Sequence, residues 1–381
     1  MVTTAGPADG SAPRRAVRRR APLVGATAAC AALLLTALTA CDGSTGPAPS
    51  SAPAAHETAP ASLGALAARA GKDVGFATGP DLLAIAPLKA VVDAQATLVT
   101  PENVMKWQYT EPSQGHFDFS QGDALVAYAQ AAGKKVYGHN LVWHSQLAPW
   151  VAGLDAAALR PAMENHVRQQ AEHFKGKVVA WDVVNEAFDE DGTRRDDSPF
   201  QQKLGDGYIE DAFRTAHAAD PNAKLCYNDY NIENIGAKSD AVYAMVKDFR
   251  SRGVPIDCVG FQSHLVLGGV PQDFVENLER FAALGVDVRI TELDIRMATP
   301  ASDGDLARQA DDYRTVFADC LAVAACQGVT IWGVTDKYSW VPTTFPGQGA
   351  ALVWDDDVQP KPAFEAIAGA LRDAPPATPE G

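Results

Sequence analysis

The stretch WDVVNEAFDE, Trp181 to Glu190, carries four acids and one Asn behind a short apolar run, and a second run, ITELDI, holds Glu292 and Asp294. Acids crowded at the end of a run are usually a solvated turn. Glu186 alone would pass as a charge at a helix N-terminus, and Glu292 as the polar end of a buried strand. As a pair they match a chemistry: breaking a glycosidic bond needs a carboxylic acid to protonate the leaving oxygen and a carboxylate to act as nucleophile or base. Other apolar runs end in residues suited to a sugar. These are Glu102, Asn103 and Lys106; His139, Trp143 and Gln146; Asn185; Asn228, Asp229 and Tyr230; Gln262 and His264; and Trp332, Asp336 and Trp340. Indole faces stack on sugar rings, and amides, carboxylates, ammonium and imidazole groups hydrogen-bond hydroxyls. No Gly-rich phosphate loop opens a helix and no His-x-x-x-His pair occurs, which disfavours a nucleotide or metal enzyme; neither a metal nor a cofactor is expected.

These residues can act together only if a scaffold gathers the ends of the runs. From about Ala65, eight short apolar runs alternate with amphipathic segments: DVGFAT, ATLVTPEN, KVYGHNLVWH, VVAWDVVNEA, KLCYNDYN, CVGFQSHL, VDVRITELD and VTIWGVTD. Helix-like stretches at 81–95, 121–132, 155–175, 202–219, 239–252, 271–284, 305–327 and 362–372 follow them. Strands alternating with helices imply a parallel sheet. Eight units in roughly 310 residues point to an α/β fold, a (β/α)8 TIM barrel forming a single catalytic domain over 62–372. The pattern alone leaves a doubly wound sheet open. In a barrel, chemistry sits at the C-terminal ends of the strands, so Glu186 after strand four and Glu292 after strand seven would face each other across the mouth.

The N-terminal part has a different character. Five arginines at 14–20 precede the apolar, small-residue stretch 21–40, the pattern of a secretory signal over residues 1–40. LTAC, Leu38 to Cys41, is similar to a bacterial lipobox, in which Cys41 would be lipidated; ordinary cleavage nearby and a retained span are the alternatives. Residues 41–61 read as a Pro/Ala/Ser-rich tether, and 373–381 as a disordered tail. With a formal charge of −15, electrostatic binding to nucleic acid or an anionic membrane surface is disfavoured. Contact with a membrane is expected only through Cys41, on an extracellular protein anchored at the cell surface or, without the lipid, secreted. Cys226, Cys258, Cys320 and Cys326 form an even set, which in an exported chain suggests disulfides. Three connectivities are possible. The spacing of Cys320 and Cys326 suits a local loop and would leave Cys226 with Cys258; a zinc site is the alternative, without the usual paired ligand spacing.

The motifs TPENVMKW, GHNLVWHSQ, WDVVNEAF, YNDYN, GFQSHL, ITELDI and GVTDKYSWVPTTFPG, in this order, resemble the endo-β-1,4-xylanases of glycoside hydrolase family 10. The resemblance runs from about residue 65 to 372 and touches every strand end. It implies a (β/α)8 barrel that takes xylan and xylo-oligosaccharides as substrates and hydrolyses them with retention of configuration; a monomer is expected. Carried onto this sequence, it makes Glu186 the acid/base and Glu292 the nucleophile. Asn185 would bond the 2-hydroxyl of the sugar next to the scissile bond, and His264, held by Asp294, would bond Glu292. Gln262 and Tyr230 would organise the same centre. Glu102, Asn103, Lys106, His139, Trp143 and Gln146 would line the glycone subsites, with Trp332 and Trp340 closing over them. The family's paired cysteines fit Cys226 with Cys258 and Cys320 with Cys326. The sequence departs from the pattern at VGFATG, at Ala96 and at Gln108, none of which is a proposed catalytic group.

Overall fold

The computed structural model describes residues 62–377. The expected signal, tether and Cys41 lie outside the described residues, as do 378–381. The barrel strands are β1 (Asp73–Thr78), β2 (Leu98–Pro101), β3 (Lys135–Trp143), β4 (Ala180–Asn185), β5 (Lys224–Asp229), β6 (Cys258–Phe261), β7 (Asp287–Ala298) and β8 (Cys326–Ile331). Each pairs in parallel with the next, and β1 pairs with β8, so the sheet closes on itself. The open, doubly wound alternative is thereby removed. Every residue of β1, β2, β4 and β6 is buried, as parallel strands covered on both faces require, which is why these runs read as continuous rather than alternating.

The principal outer helices are α1 (Ala86–Gln95), α2 (Ser120–Ala131), α3 (Ala156–His173), α4 (Gly207–Ala219), α5 (Ala237–Ser251), α6 (Phe274–Ala282), α7 (Asp303–Ala322) and α8 (Pro362–Asp373). Local sequence sets several of their ends. Asp155 caps α3 by accepting from the Ala158 N–H, and Ser302 with Asp305 forms a capping box on α7. Among the described residues no helix is long and apolar enough to cross a membrane.

Several boundaries differ from the sequence reading. The stretch 81–95 is two helices, Pro80–Leu83 and α1. Pro87 would clash with the carbonyl four residues back in a continuous helix, so the chain breaks at Ala84 and Ile85. The stretch 202–219 is also broken, into Pro199–Leu204 and α4, by Gly205 at φ 66°. Helix α7 stops at Ala322, not 327, because Cys326 and Gln327 are drawn into β8, where Cys326 pairs with Val288. Pairing overrides the helix propensity of an Ala-rich stretch here. Asp373 is the last residue of α8, and the Ala377 N–H donates to the Arg69 carbonyl, so the docked chain extends beyond the expected tail boundary at 373.

One extension matters most for function. Strand β7 continues past Glu292 and Asp294, because its far half pairs with the short strand His264–Val266 and, antiparallel, with Gln348–Gly349. That register sets His264 opposite Asp294. The disulfides are Cys226–Cys258, joining residues directly opposed on β5 and β6, and Cys320–Cys326, closing the turn from α7 into β8.

Candidate active site

A cleft of about 520 Å³ opens at the C-terminal ends of the strands. Glu186, Glu292, Glu102, Asn103, Lys106, His139, Trp143, Asn185, Tyr230, Gln262, His264, Trp332 and Trp340 all line it. Asp294 lies directly behind, fully buried. Gln146 is not on the lining: its carbonyl accepts from the Gln108 N–H, and its side-chain oxygen accepts from Gln108 Nε2 at 3.2 Å. The departure from the family pattern at Gln108 therefore coincides with the residue that leaves the expected subsite.

The two glutamates are reached by different backbone devices. Glu186 is the first residue after β4 and turns out of the strand at φ 57°, the left-handed region that a non-glycine residue enters only when its surroundings hold it there. Its N–H donates to the Asn228 carbonyl (2.9 Å) and its own carbonyl accepts from Arg195 Nε (2.8 Å). Glu292 stays in the strand, with its N–H bonded to the Gln262 carbonyl (2.9 Å).

Amide side chains connect the two carboxyls. Glu186 Oε1 accepts from Gln262 Nε2 (3.0 Å) and Asn185 Nδ2 (3.1 Å), and Oε2 accepts from Trp143 Nε1 (2.8 Å). Glu292 Oε1 accepts from Asn228 Nδ2 (2.7 Å), and that same nitrogen reaches Asn185 Oδ1 (2.8 Å). Thr291 Oγ1 donates to Asn228 Oδ1 (2.6 Å), which fixes the orientation of this amide. Asn228, which the sequence offered only as a polar strand end in YNDYN, thus links the two carboxyls, a role that the family resemblance did not assign to it.

Around Glu292 the electrostatics are set by two histidines. His264 lies with Nε2 3.2 Å from Glu292 Oε2 and Nδ1 2.9 Å from Asp294 Oδ2. Burial alone would lower its pKa, but Asp294 and Glu292 outweigh burial and raise it to about 10. It is therefore an imidazolium that donates to both carboxylates. Trp340 Nε1 donates to the same Asp294 oxygen (2.7 Å), so one carboxylate orients both the histidine and an indole of the cleft wall. His139 behaves oppositely: burial pushes it down to about 4, while burial raises its partner Asp182 to about 8. The low-dielectric interior favours the uncharged pair. His139 Nδ1 is 2.8 Å from Asp182 Oδ2, and Tyr137 OH donates to Asp182 Oδ1 (2.7 Å). Asp182, which has no evident role in the sequence, holds His139 edge-on to Trp332, their ring centroids 5.1 Å apart.

On one side of the cleft, Lys106 is buried and donates to Asn103 Oδ1 at 3.0 Å, its Nζ 4.9 Å from the centre of the Trp143 ring. Burial lowers its pKa, opposed by the charges of Glu292, Glu102 and Glu186. Arg195 Nη2 bonds the Tyr230 hydroxyl (2.6 Å), and Lys238 sits over the Tyr230 ring. Arg195, Asn231, Arg296 and Phe345 come from loops or from the extension of β7; Asn231 and Phe345 lie within YNDYN and GVTDKYSWVPTTFPG, whereas nothing in the sequence spacing marks Arg195 or Arg296. Asp336 serves the scaffold instead, accepting from the Leu352 N–H (2.7 Å) and pairing with Lys361 (3.0 Å). His139, Asp182 and Glu292 have ligand-type atoms within 4.8 Å of one another, but hydrogen bonds already engage these groups, and the set reads as a proton-ordered network.

Known proteins resemble this chain over most of its length. The model of Glycosyl hydrolase family 10 matches residues 62–370. An endo-1,4-beta-xylanase of Agaricus bisporus is 47% identical over 310 residues, covering 80% of this chain and 93% of that protein. Endo-1,4-beta-xylanase A of Phanerodontia chrysosporium is 46% identical, covering 82% and 77%. The crystal structure of xylanase 10B from Thermotoga petrophila in complex with xylobiose superposes with a TM-score of 0.79 at 40% identity, covering 81% of this chain and 97% of that one. With a closed barrel, paired glutamates at its mouth and this extent of likeness, the chain belongs to glycosyl hydrolase family 10.

Proposed function

We propose that the cleft hydrolyses internal β-1,4-xylosidic bonds of xylan by double displacement, with Glu292 as nucleophile and Glu186 as acid/base. The observation that carries this role split is the asymmetry of their partners. Glu292 accepts from the His264 imidazolium and from Asn228, which suits a group that must attack as a carboxylate. Glu186 faces Trp143, Gln262 and Asn185, neutral groups that orient a carboxyl in either protonation state. In the first step Glu292 bonds the anomeric carbon while Glu186 passes its proton to the leaving glycosidic oxygen. In the second, Glu186 takes a proton from water as that water displaces Glu292, and configuration is retained. Asn185, whose Oδ1 accepts from Asn228 and Gln262, bonds the 2-hydroxyl of the reacting sugar in this reading. Lys106, Asn103, Glu102, His139 and Trp143 bind the glycone, and Trp332 and Trp340 supply its apolar walls. Trp340 with the following Val341–Pro342 turn is the wall that would exclude a C6 hydroxymethyl group and favour xylose over glucose. The names of the relatives and the xylobiose complex of the Thermotoga protein support xylan as substrate.

Reducing ends released from xylan by the purified protein test the activity. Glu292→Ala should abolish turnover of every glycoside. Glu186→Ala should lower kcat/KM on xylan by about 10²- to 10⁴-fold but spare aryl xylosides whose leaving groups need little protonation. Equal losses on both substrate types would reject the division of labour.

The basic and apolar N-terminal sequence and the two disulfides support export to an oxidising compartment. We further propose that Cys41 carries a lipid and that 42–61 tethers the barrel to the cell surface. Globomycin should block processing, and Cys41→Ala should release the enzyme to the medium. Release of the unaltered chain to the same extent would exclude the anchor.

A further inference from the structure

Between β6 and the short strand His264–Val266 the chain carries a strained residue. Ser263 is fully buried and lies at φ 61°, a left-handed conformation that a non-glycine residue enters at a cost. The register slips there: Phe261 pairs with Ile290, and three residues later His264 pairs with Asp294, four residues further along β7. An irregularity of this kind re-aims the side chains that flank it. The flanking side chains are Gln262, whose Nε2 donates to Glu186 Oε1 at 3.0 Å, and His264, whose Nε2 lies 3.2 Å from Glu292 Oε2. One buried turn thus sits between a partner of each proposed catalytic carboxyl.

What holds Ser263 is a carboxyl that the reaction does not use. Glu233, in the loop between β5 and α5, is 3% exposed, and its Oε1 accepts from the Ser263 N–H at 2.7 Å. Burial raises its pKa, so a neutral side chain of the same length is a close substitute for it. The Ser263 carbonyl accepts from the Asp294 N–H at the longer distance of 3.4 Å. Glu233 is itself fixed from behind. The buried Asn277 of α6 donates through Nδ2 to the carbonyls of Ile232 (2.7 Å) and Glu233 (3.0 Å), and Ser239 of α5 donates to its Oδ1 (3.1 Å). Two outer helices therefore anchor the loop, the loop aims the carboxyl, and the carboxyl pins the turn.

We propose that Glu233 is a positioning residue for turnover: through its reach to the Ser263 N–H it keeps Gln262 on Glu186 and His264 on Glu292. The proposal rests on the roles assigned above to those two glutamates. Two conservative variants separate reach from charge. Glu233→Gln keeps an acceptor at the same distance, whereas Glu233→Asp keeps the acid but is one methylene too short. Glu233→Asp should lower kcat about tenfold or more with KM little changed. The loss should appear on xylan and on aryl xylosides alike, because the partner of the nucleophile is displaced together with that of the acid. Glu233→Gln should retain most of kcat on both substrates. The Tm of each variant establishes that folded proteins are being compared. The reverse order, with Glu233→Asp active and Glu233→Gln impaired, would mean that charge rather than reach acts, and would overturn the proposal. Unaltered kcat in both variants, or equal losses in both, would overturn it as well. Turnover surviving in Glu292→Ala would instead remove the assignment of the nucleophile, and the contrast between the two Glu233 variants would still decide whether this carboxyl acts on turnover through its reach.

Discussion

Glu186 sits at φ 57° with a side chain that must point into the cleft, and Arg195, together with the Asn228 carbonyl, holds that conformation. Arg195 is buried; its Nε holds the Glu186 carbonyl and its Nη2 holds the Tyr230 hydroxyl. Arg195→Met should lower kcat on xylan by about 10- to 100-fold, since small misplacements of an acid cost that much. The loss should be much smaller on aryl glycosides with good leaving groups, and comparison of the two substrates checks it. His264 makes a prediction about pH. Its folded pKa of about 10 lies above the ~6.5 of a free histidine. Its contribution to stability is therefore full below about pH 6.5 and is lost as pH rises through about 10. Urea midpoints of the unaltered protein and His264→Gln should differ most near pH 6 and converge toward pH 10.

At the scale of elements, the seam between β8 and β1 carries the tightest backbone approach. Gly328 opposes Asp73 at φ 148°, and a Cβ there would overlap the Asp73 backbone. Gly328→Ala faces both an unfavourable conformation and a clash, so it should cost roughly 3 kcal/mol or more, read from denaturant unfolding. The same seam lies beside Lys72, whose ammonium collects the carbonyls of Val323, Ala324 and Cys326 where α7 gives way to β8. Strand β7 works differently: its first half closes the barrel, and its second half leaves it to pair with the short strand His264–Val266. One strand therefore supplies Glu292 to the cleft and sets Asp294 opposite His264.

For the molecule as a whole, the described chain begins and ends side by side. One terminal nitrogen of Arg69, in the helix Leu63–Arg69, reaches the carbonyls of Leu371, Arg372 and Ala374 at the end of α8. These contacts complement the exposed carbonyls of a helix C-terminus. Arg69→Ala should lower Tm by about 2 °C and leave kcat untouched, because the contact lies on the outside of the barrel. A change in kcat would mean that this junction communicates with the cleft.

The alternation of apolar runs and helix-like stretches determined an α/β fold with a parallel sheet, because parallel strands buried on both faces and helices buried on one leave different periodicities; closure into a barrel was decided only by the pairing of β1 with β8. The residues proposed to bear the chemistry could be picked out in the same way, since each strand ends at the mouth and Glu186 and Glu292 close their runs visibly. Helix ends at Ala84, Gly205 and Ala322 could not, because Pro87, a left-handed glycine and pairing of Cys326 decide them from outside the periodic pattern. Nor could the roles of Asp182, Asn228 and Arg195. A carboxylate inside a strand reads alike whether it meets solvent, a cation or a buried imidazole. Only the closed barrel brings Asp182 to His139, Asn228 to Asn185 and Glu292, and Arg195 to the carbonyl of Glu186. Residue type and order are local and survive in the sequence, whereas burial and partner, which set charge state and orientation, arise when distant strands meet.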